Sequence, residues 1–260
     1  MKTYIKSICL VISLSLFLAC KKKNDEPAPV VMPSSQSLTL RMTPKVGNKP
    51  LTFNSSFETE NNERYTLSMF RYYISNISLL KNDGSEHKLD GKVLLVNANT
   101  PDYNLGDIPA GDYTGISFFV GIDSATNHLD PTIHPVSHPL AIQSPAIHWS
   151  WNSGYIFLMV EGSCDTTDTN KDELTYGQYS HGMFFHIGMD PLLRKVKLGN
   201  SPFTVSANTN KVLTIQSDIN KLFSGIDLKT QNTTHTMGTM PLATKAANNI
   251  PAMFTIVHNQ

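Results

Sequence analysis

The stretch IHWSWNSGYIFLMVEG, Ile147 to Gly162, holds both tryptophans of the chain beside a histidine and ahead of an apolar run. On an extended segment Trp149 and Trp151 share one face, while His148 and Ser150 share the other. Asn152, Ser153 and Gly154 interrupt that alternation as a turn does. Tyr155 to Val160 is then an aromatic and branched run of strand length. Two close tryptophans read most simply as core or rim packing, since a buried indole needs only a partner for its N–H.

Outward from this stretch the same short-strand grammar recurs. SLTLRMTP, from Ser37, alternates Leu38, Leu40 and Met42 with polar residues, the period of a half-buried strand. TLSMFRYYISNISLL, from Thr66 to Leu80, reads as a strand bent at Ser75-Asn76, with a short helix as the rival. Asn82-Asp83-Gly84-Ser85 marks a turn and Lys92 to Val96 a short strand. After the Pro109–Gly111 turn, Gly115 to Ile122 reads as a core strand. Residues 123–145 form a long irregular segment with four prolines and three histidines, and such a loop within a compact domain usually wraps a site. Downstream, 196–216 suggests further strands. DINKLFSG is a short helix with Asp218 as cap and Gly225 as stop. A helix through Ala246 and a final strand MFTIV close the chain. The reading is an all-β, β-sandwich-like single domain with one or two short helices.

Composition fits a folded domain: 260 residues, 40% hydrophobic and 16% charged, with a formal charge of zero. That balance offers no field for nucleic acid. Residues 1–19 read as an export signal, with Lys2 and Lys6 ahead of an apolar core too short to span a bilayer. Residues 20–36 are proline-rich and polar and read as a tether, leaving 37–260 as the domain. Of three cysteines, Cys9 leaves with the signal and Cys20 stands at its end, so Cys164 alone remains and no disulfide framework holds the fold.

Nine histidines in an extracytoplasmic chain without disulfides raise the question of a metal. Imidazole suits copper or zinc, and thioether adds a preference for Cu(I). His148 and His186 are the leading ligand candidates, each in an apolar aromatic segment where an unpaired imidazole is costly to bury. The ordinary alternative is a hydrogen-bonded core histidine. His235, Met237 and Met240 form a second soft cluster or an ordinary loop. Asp168, Asn170 and Asp172 start like a calcium loop, but Glu173 occupies the place that needs Gly, so a solvated acidic loop is the better reading. Ser180-His181 lacks any nucleophile elbow, and the chain is expected not to be an enzyme.

LFLAC at 16–20 resembles the lipobox of bacterial lipoproteins, which implies lipidation of Cys20 and an outer-membrane location, periplasmic or cell-surface. YYISNISLL at 72–80, LGDIPAGDYTGISFFVGI at 105–122, Asn127, HWSWNSGYIFLMVEG at 148–162 and HIG at 186–188 together resemble the MbnP-like family, and Asn248, Asn249 and Met253-Phe254 resemble its closing segment. These are methanobactin-associated or copper-repressible copper-binding proteins. The resemblance implies copper, as Cu(I) or Cu(II), held by His148 and His186. Met183, Met189, His181 or His235 would be additional or supporting ligands. It also implies a tryptophan, Trp149 or Trp151, oxidised to kynurenine by a di-haem cytochrome c peroxidase-like partner. In members with that modification a tryptophan and a ligand histidine can stand two apart, whereas neither tryptophan here is two positions from a histidine. The competing reading is a non-catalytic surface module that binds a glycan or protein through the tryptophan pair.

Overall fold

The computed structural model describes residues 36–150, 154–167 and 182–258. Trp151, His181, Cys20 and the acidic stretch from Asp168 to Glu173 lie outside them.

Strand β1 (Ser37–Val46) buries Leu38, Leu40 and Met42 at alternate positions, and β2 (Lys49–Pro50) folds back on it at Gly47, φ +57°. β3 (Ser56–Glu58) precedes β4 (Arg64–Leu80), the long central strand. β5 (Glu86–Lys88) and β6 (Leu94–Asn97) pair with β4, whereas β7 (Asp102–Asp107) pairs with β1. β8 (Gly111–Tyr113) leads to β9 (Gly115–Val120), which lies antiparallel to β4. The bend expected in β4 is a bulge: Asn76 takes φ 49° and the β4–β9 register shifts between Ser75 and Ser78. An Asn tolerates that left-handed conformation where a branched residue would not.

A strap follows, with α1 (Ser124–Asn127) and a 3-10 turn at Pro131–Ile133. Next come β10 (His148–Ser150), β11 (Gly154–Cys164) and β12 (Gly182–Gly188), then β13 (Arg194–Leu198), β14 (Phe203–Val205) and β15 (Lys211–Asp218). Asp218 caps a 3-10 turn at Ile219–Phe223 by accepting from the Asn220 N–H, and Gly225 follows at φ 69°. The chain closes with β16 (Thr233–Thr234), α2 (Met240–Asn249) and β17 (Phe254–Val257).

One sheet runs β17-β15-β1-β2 with β7 against β1, and the larger runs β13-β9-β4-β11-β12-β16. The core lies between them: Leu38, Leu40 and Ile215 from one meet Ile74, Val160, Phe185 and Ile187 from the other. Phe254 joins the layers, edge-on to Tyr72 at 5.6 Å and to Phe118 at 5.4 Å between ring centroids. The outer face of the larger sheet is covered too. Tyr73, Tyr155, Phe157 and Met159 pack there under Ile122, Leu140 and Ile147 of the strap. The Tyr73 and Tyr155 hydroxyls donate to the carbonyls of Pro139 and Leu140, so the strap's backbone is satisfied as it crosses the apolar face.

The start of the strap is pinned by Asn127, which is wholly buried. Its Oδ1 accepts the Tyr155 N–H at 2.8 Å, and its Nδ2 donates to Asp190 Oδ1 at 2.8 Å. Asp190 also accepts from the Ser124 hydroxyl and lies 3.2 Å from His128 Nε2. Gly154, at φ +83°, makes room for this, since a Cβ there would come within 2.4 Å of Asn127 Oδ1.

Candidate metal centre

Strand parity places the site. On β12, Met183, Phe185 and Ile187 point into the sandwich, so Phe184, His186 and Gly188 face the other way. His186 stands opposite Met159 of β11. Its Nε2 lies 2.8 Å from Glu161 Oε1, and its Nδ1 faces His235 Nδ1 at 3.0 Å. The two imidazoles meet edge to face at 4.6 Å, and Phe184 stacks on His235 at 6.2 Å. Glu161 is an acceptor, so His186 carries its proton on Nε2 and presents a lone pair at Nδ1. With that tautomer of His186, the Nδ1–H of His235 is the matching donor.

His235 is held by the chain that runs beside β12 at the sheet edge. Residues Thr233 and Thr234 pair in parallel with Phe184 and Phe185. The Thr236 hydroxyl donates to the His186 carbonyl at 2.7 Å and accepts the Gly188 N–H at 3.1 Å. Thr236 itself sits at φ 68°, an uncommon conformation for a branched residue, maintained by this clamp. Gly188 faces the same side as His186, and a Cβ there would lie 2.7 Å from Trp149 Cζ3, so the glycine admits the indole next to the histidine pair.

Burial, together with the neighbouring His186, pushes His235 below its ordinary pKa, while Glu161 opposes the shift. Burial likewise lowers His148, against Asp130, and His138 is lowered by burial and by His134. Each therefore binds fewer protons folded than unfolded just below the ordinary value of 6.5, so the associated stability is present above that pH and lost as pH falls through the folded values. Asp165, which the Arg64 guanidinium holds at about 2, adds a further loss at much lower pH. Thermal melts of the metal-free protein should show a falling Tm from pH 7 towards pH 5. A flat profile there would contradict this account.

The structure joins His186 to His235, not to His148. The ring of His148 packs edge-on against Tyr155 at 4.6 Å, and its Nε2 is buried with no hydrogen-bond partner among the described residues. Among the described residues the ring partners of His186 are Glu161, His235 and Phe184, and that of His148 is Tyr155. Met183 is fully buried in the sandwich core, on the face of β12 opposite His186. Met189 stands at φ 74° before the 3-10 turn Asp190–Leu192. Met237 is exposed, and Met240 packs against the core, so His235 leaves that presumed soft cluster to join His186. Sequence reading missed Glu161, although an acid ending the outward-facing series Tyr155, Phe157, Met159 was visible by parity. Met159, the thioether directly across from His186, was also missed.

Among the described residues no group of three or more His, Cys, Asp or Glu is placed to hold a metal. The candidate donors are the two imidazoles of the pair, with Glu161 behind His186. A metal takes an imidazole nitrogen at roughly 2.0 Å, so two nitrogens 3.0 Å apart can be reached together.

A family model described as MbnP matches residues 35–239. Among solved structures, MbnP from Methylosinus trichosporium matches with a TM-score of 0.57 at 14% identity, covering 85% of this chain and 98% of that one, a likeness of fold. No curated protein matches.

Proposed function

The chain belongs to the MbnP family, and from that premise we propose that it is an extracytoplasmic copper-binding protein whose ligands are His186 and His235. The single observation that carries the reading is the facing pair of Nδ1 atoms, 3.0 Å apart, with a carboxylate on the far nitrogen of His186. A carboxylate there fixes the tautomer and ring orientation and raises the basicity of the ligating nitrogen. Partial desolvation and the neighbouring His186 hold His235 below its ordinary pKa, which favours the neutral form that binds metal. Met159 adds a thioether on the same face, which favours Cu(I). Bound copper would supply a soft Lewis-acid centre beside an indole. Around it Glu161 would orient His186, Thr236 would fix the spacing, and Phe184 would cover the pair.

The wider proposal is a lipid-anchored protein, attached through Cys20, that acquires or hands on copper. Trp149 is the position at which oxidation to kynurenine by a di-haem partner should be sought by intact mass. The partly buried packing of Trp149 against Gly188 favours this setting over an open platform for glycan.

Competition of the purified protein against a chromophoric Cu(I) chelator tests the ligand assignment. One equivalent should bind to the wild type and to His148→Ala, and none to the double variant His186→Ala with His235→Ala. Stoichiometric binding that survives the double variant would overturn it.

A further inference from the structure

Beyond the histidine pair, the strap and β4 enclose a second feature. Arg71 of β4 is only 8% exposed. Its Nη1 donates to the Pro145 carbonyl at 2.8 Å, and among the described residues no carboxylate is paired with it. A guanidinium carries five donors and keeps its charge in proteins. Burial presses its pKa downward, with only Tyr73 and Tyr103 opposing, which is the mark of a cation lacking a counter-charge.

Two cavities meet at this side chain, one of about 540 Å³ and one of about 260 Å³. Among the described residues neither has an Asp or Glu in its wall. Asn97 is the cross-strand neighbour of Arg71 and lines both. Its Oδ1 accepts from the Asn99 N–H, which leaves its amide N–H groups as donors beside the guanidinium. Phe53 and Met69 give the larger cavity an apolar wall, while Gln143 and Ser144 close it from the strap.

We infer that this cleft binds a small organic carboxylate, its charged end on Arg71 and Asn97 and its apolar body against Phe53 and Met69. A buried cation without a partner is costly, and a carboxylate matched to the guanidinium fork removes that cost with charge-assisted hydrogen bonds. The site is separate from the histidine pair: Arg71, Met159 and His186 are successive cross-strand neighbours, so two strand spacings, roughly 10 Å, lie between them. The inference therefore does not depend on copper.

Calorimetry and thermal melts of the full chain in chelator, at fixed ionic strength, test it with benzoate, its neutral analogue benzamide and inorganic phosphate as probes. Benzoate should bind saturably and raise Tm, benzamide and phosphate should not, and Arg71→Gln should weaken benzoate by about 10- to 100-fold, with Arg71→Lys between. Should Arg71→Gln fail to fold, Asn97→Ala should still weaken benzoate several-fold. Benzoate binding no better than benzamide, or unchanged in the folded variants, overturns the site; phosphate equalling benzoate overturns the assignment to an organic carboxylate.

Discussion

Gly162→Ala is expected to remove a large part of the stability of the fold. Gly162 lies in β11 beside β4, at a point where the ladder register shifts between Glu161 and Gly162. An added Cβ would stand 1.8 Å from the Thr66 carbonyl oxygen and 2.8 Å from its carbon. The obstacle is backbone, so no side-chain rotation relieves it. Relief requires β4 and β11 to separate in the middle of the larger sheet. Ordinary overpacking costs about 1–3 kcal/mol, and a collision with the main chain should exceed that, reaching about 4 kcal/mol or more of a total near 5–15. Gly199→Ala is the matched control, because nothing lies within 4 Å of a Cβ there. Circular dichroism melts should show Gly199→Ala near wild type and Gly162→Ala unfolded or strongly shifted. Equal melting of the two would refute the close approach of these strands.

Asn127→Ala carries the second largest expected effect. It strands the buried Tyr155 N–H and takes from Asp190 its amide donor. An unsatisfied buried group costs about 1–3 kcal/mol, and with two partners affected about 2–4 kcal/mol is expected, a Tm drop on the order of 5–15 °C for a domain of this size. Asn127→Asp gives an informative comparison. It keeps an acceptor for Tyr155 but sets a carboxylate against Asp190, so its defect should shrink as pH is lowered from 7 towards 4. A pH-independent defect would mean that Asp190 is not its neighbour.

Much of the fold was readable because it rests on a two-residue period. Leu38, Leu40 and Met42 announce β1, Tyr155 to Val160 announces the centre of β11, and Ser75-Asn76 marks the bulge. The strap was recognisable from its prolines, yet what it covers was not, since Tyr73 and Tyr155 reach its carbonyls across 66 and 15 residues. The candidate site was half readable. Parity singled out His186 against Phe185, but its true neighbour, His235, comes from a loop whose position depends on Thr236, and no local pattern records a hydroxyl clamp 50 residues away. His148 was a reasonable ligand candidate by composition, and only tertiary structure shows its ring against Tyr155.

The two imidazoles are not mechanically equivalent. His186 belongs to a strand whose neighbours on either side are sealed in the sandwich, so it can shift only if the whole β12 register slips and exposes Phe185 and Ile187. His235 is exposed and rides on a short segment at the sheet edge. If the pair holds an ion as proposed, loading and release would involve the exposed His235 rather than the strand-bound His186. On that proposal, exchange would answer to the turn at Thr236 rather than to the sheet.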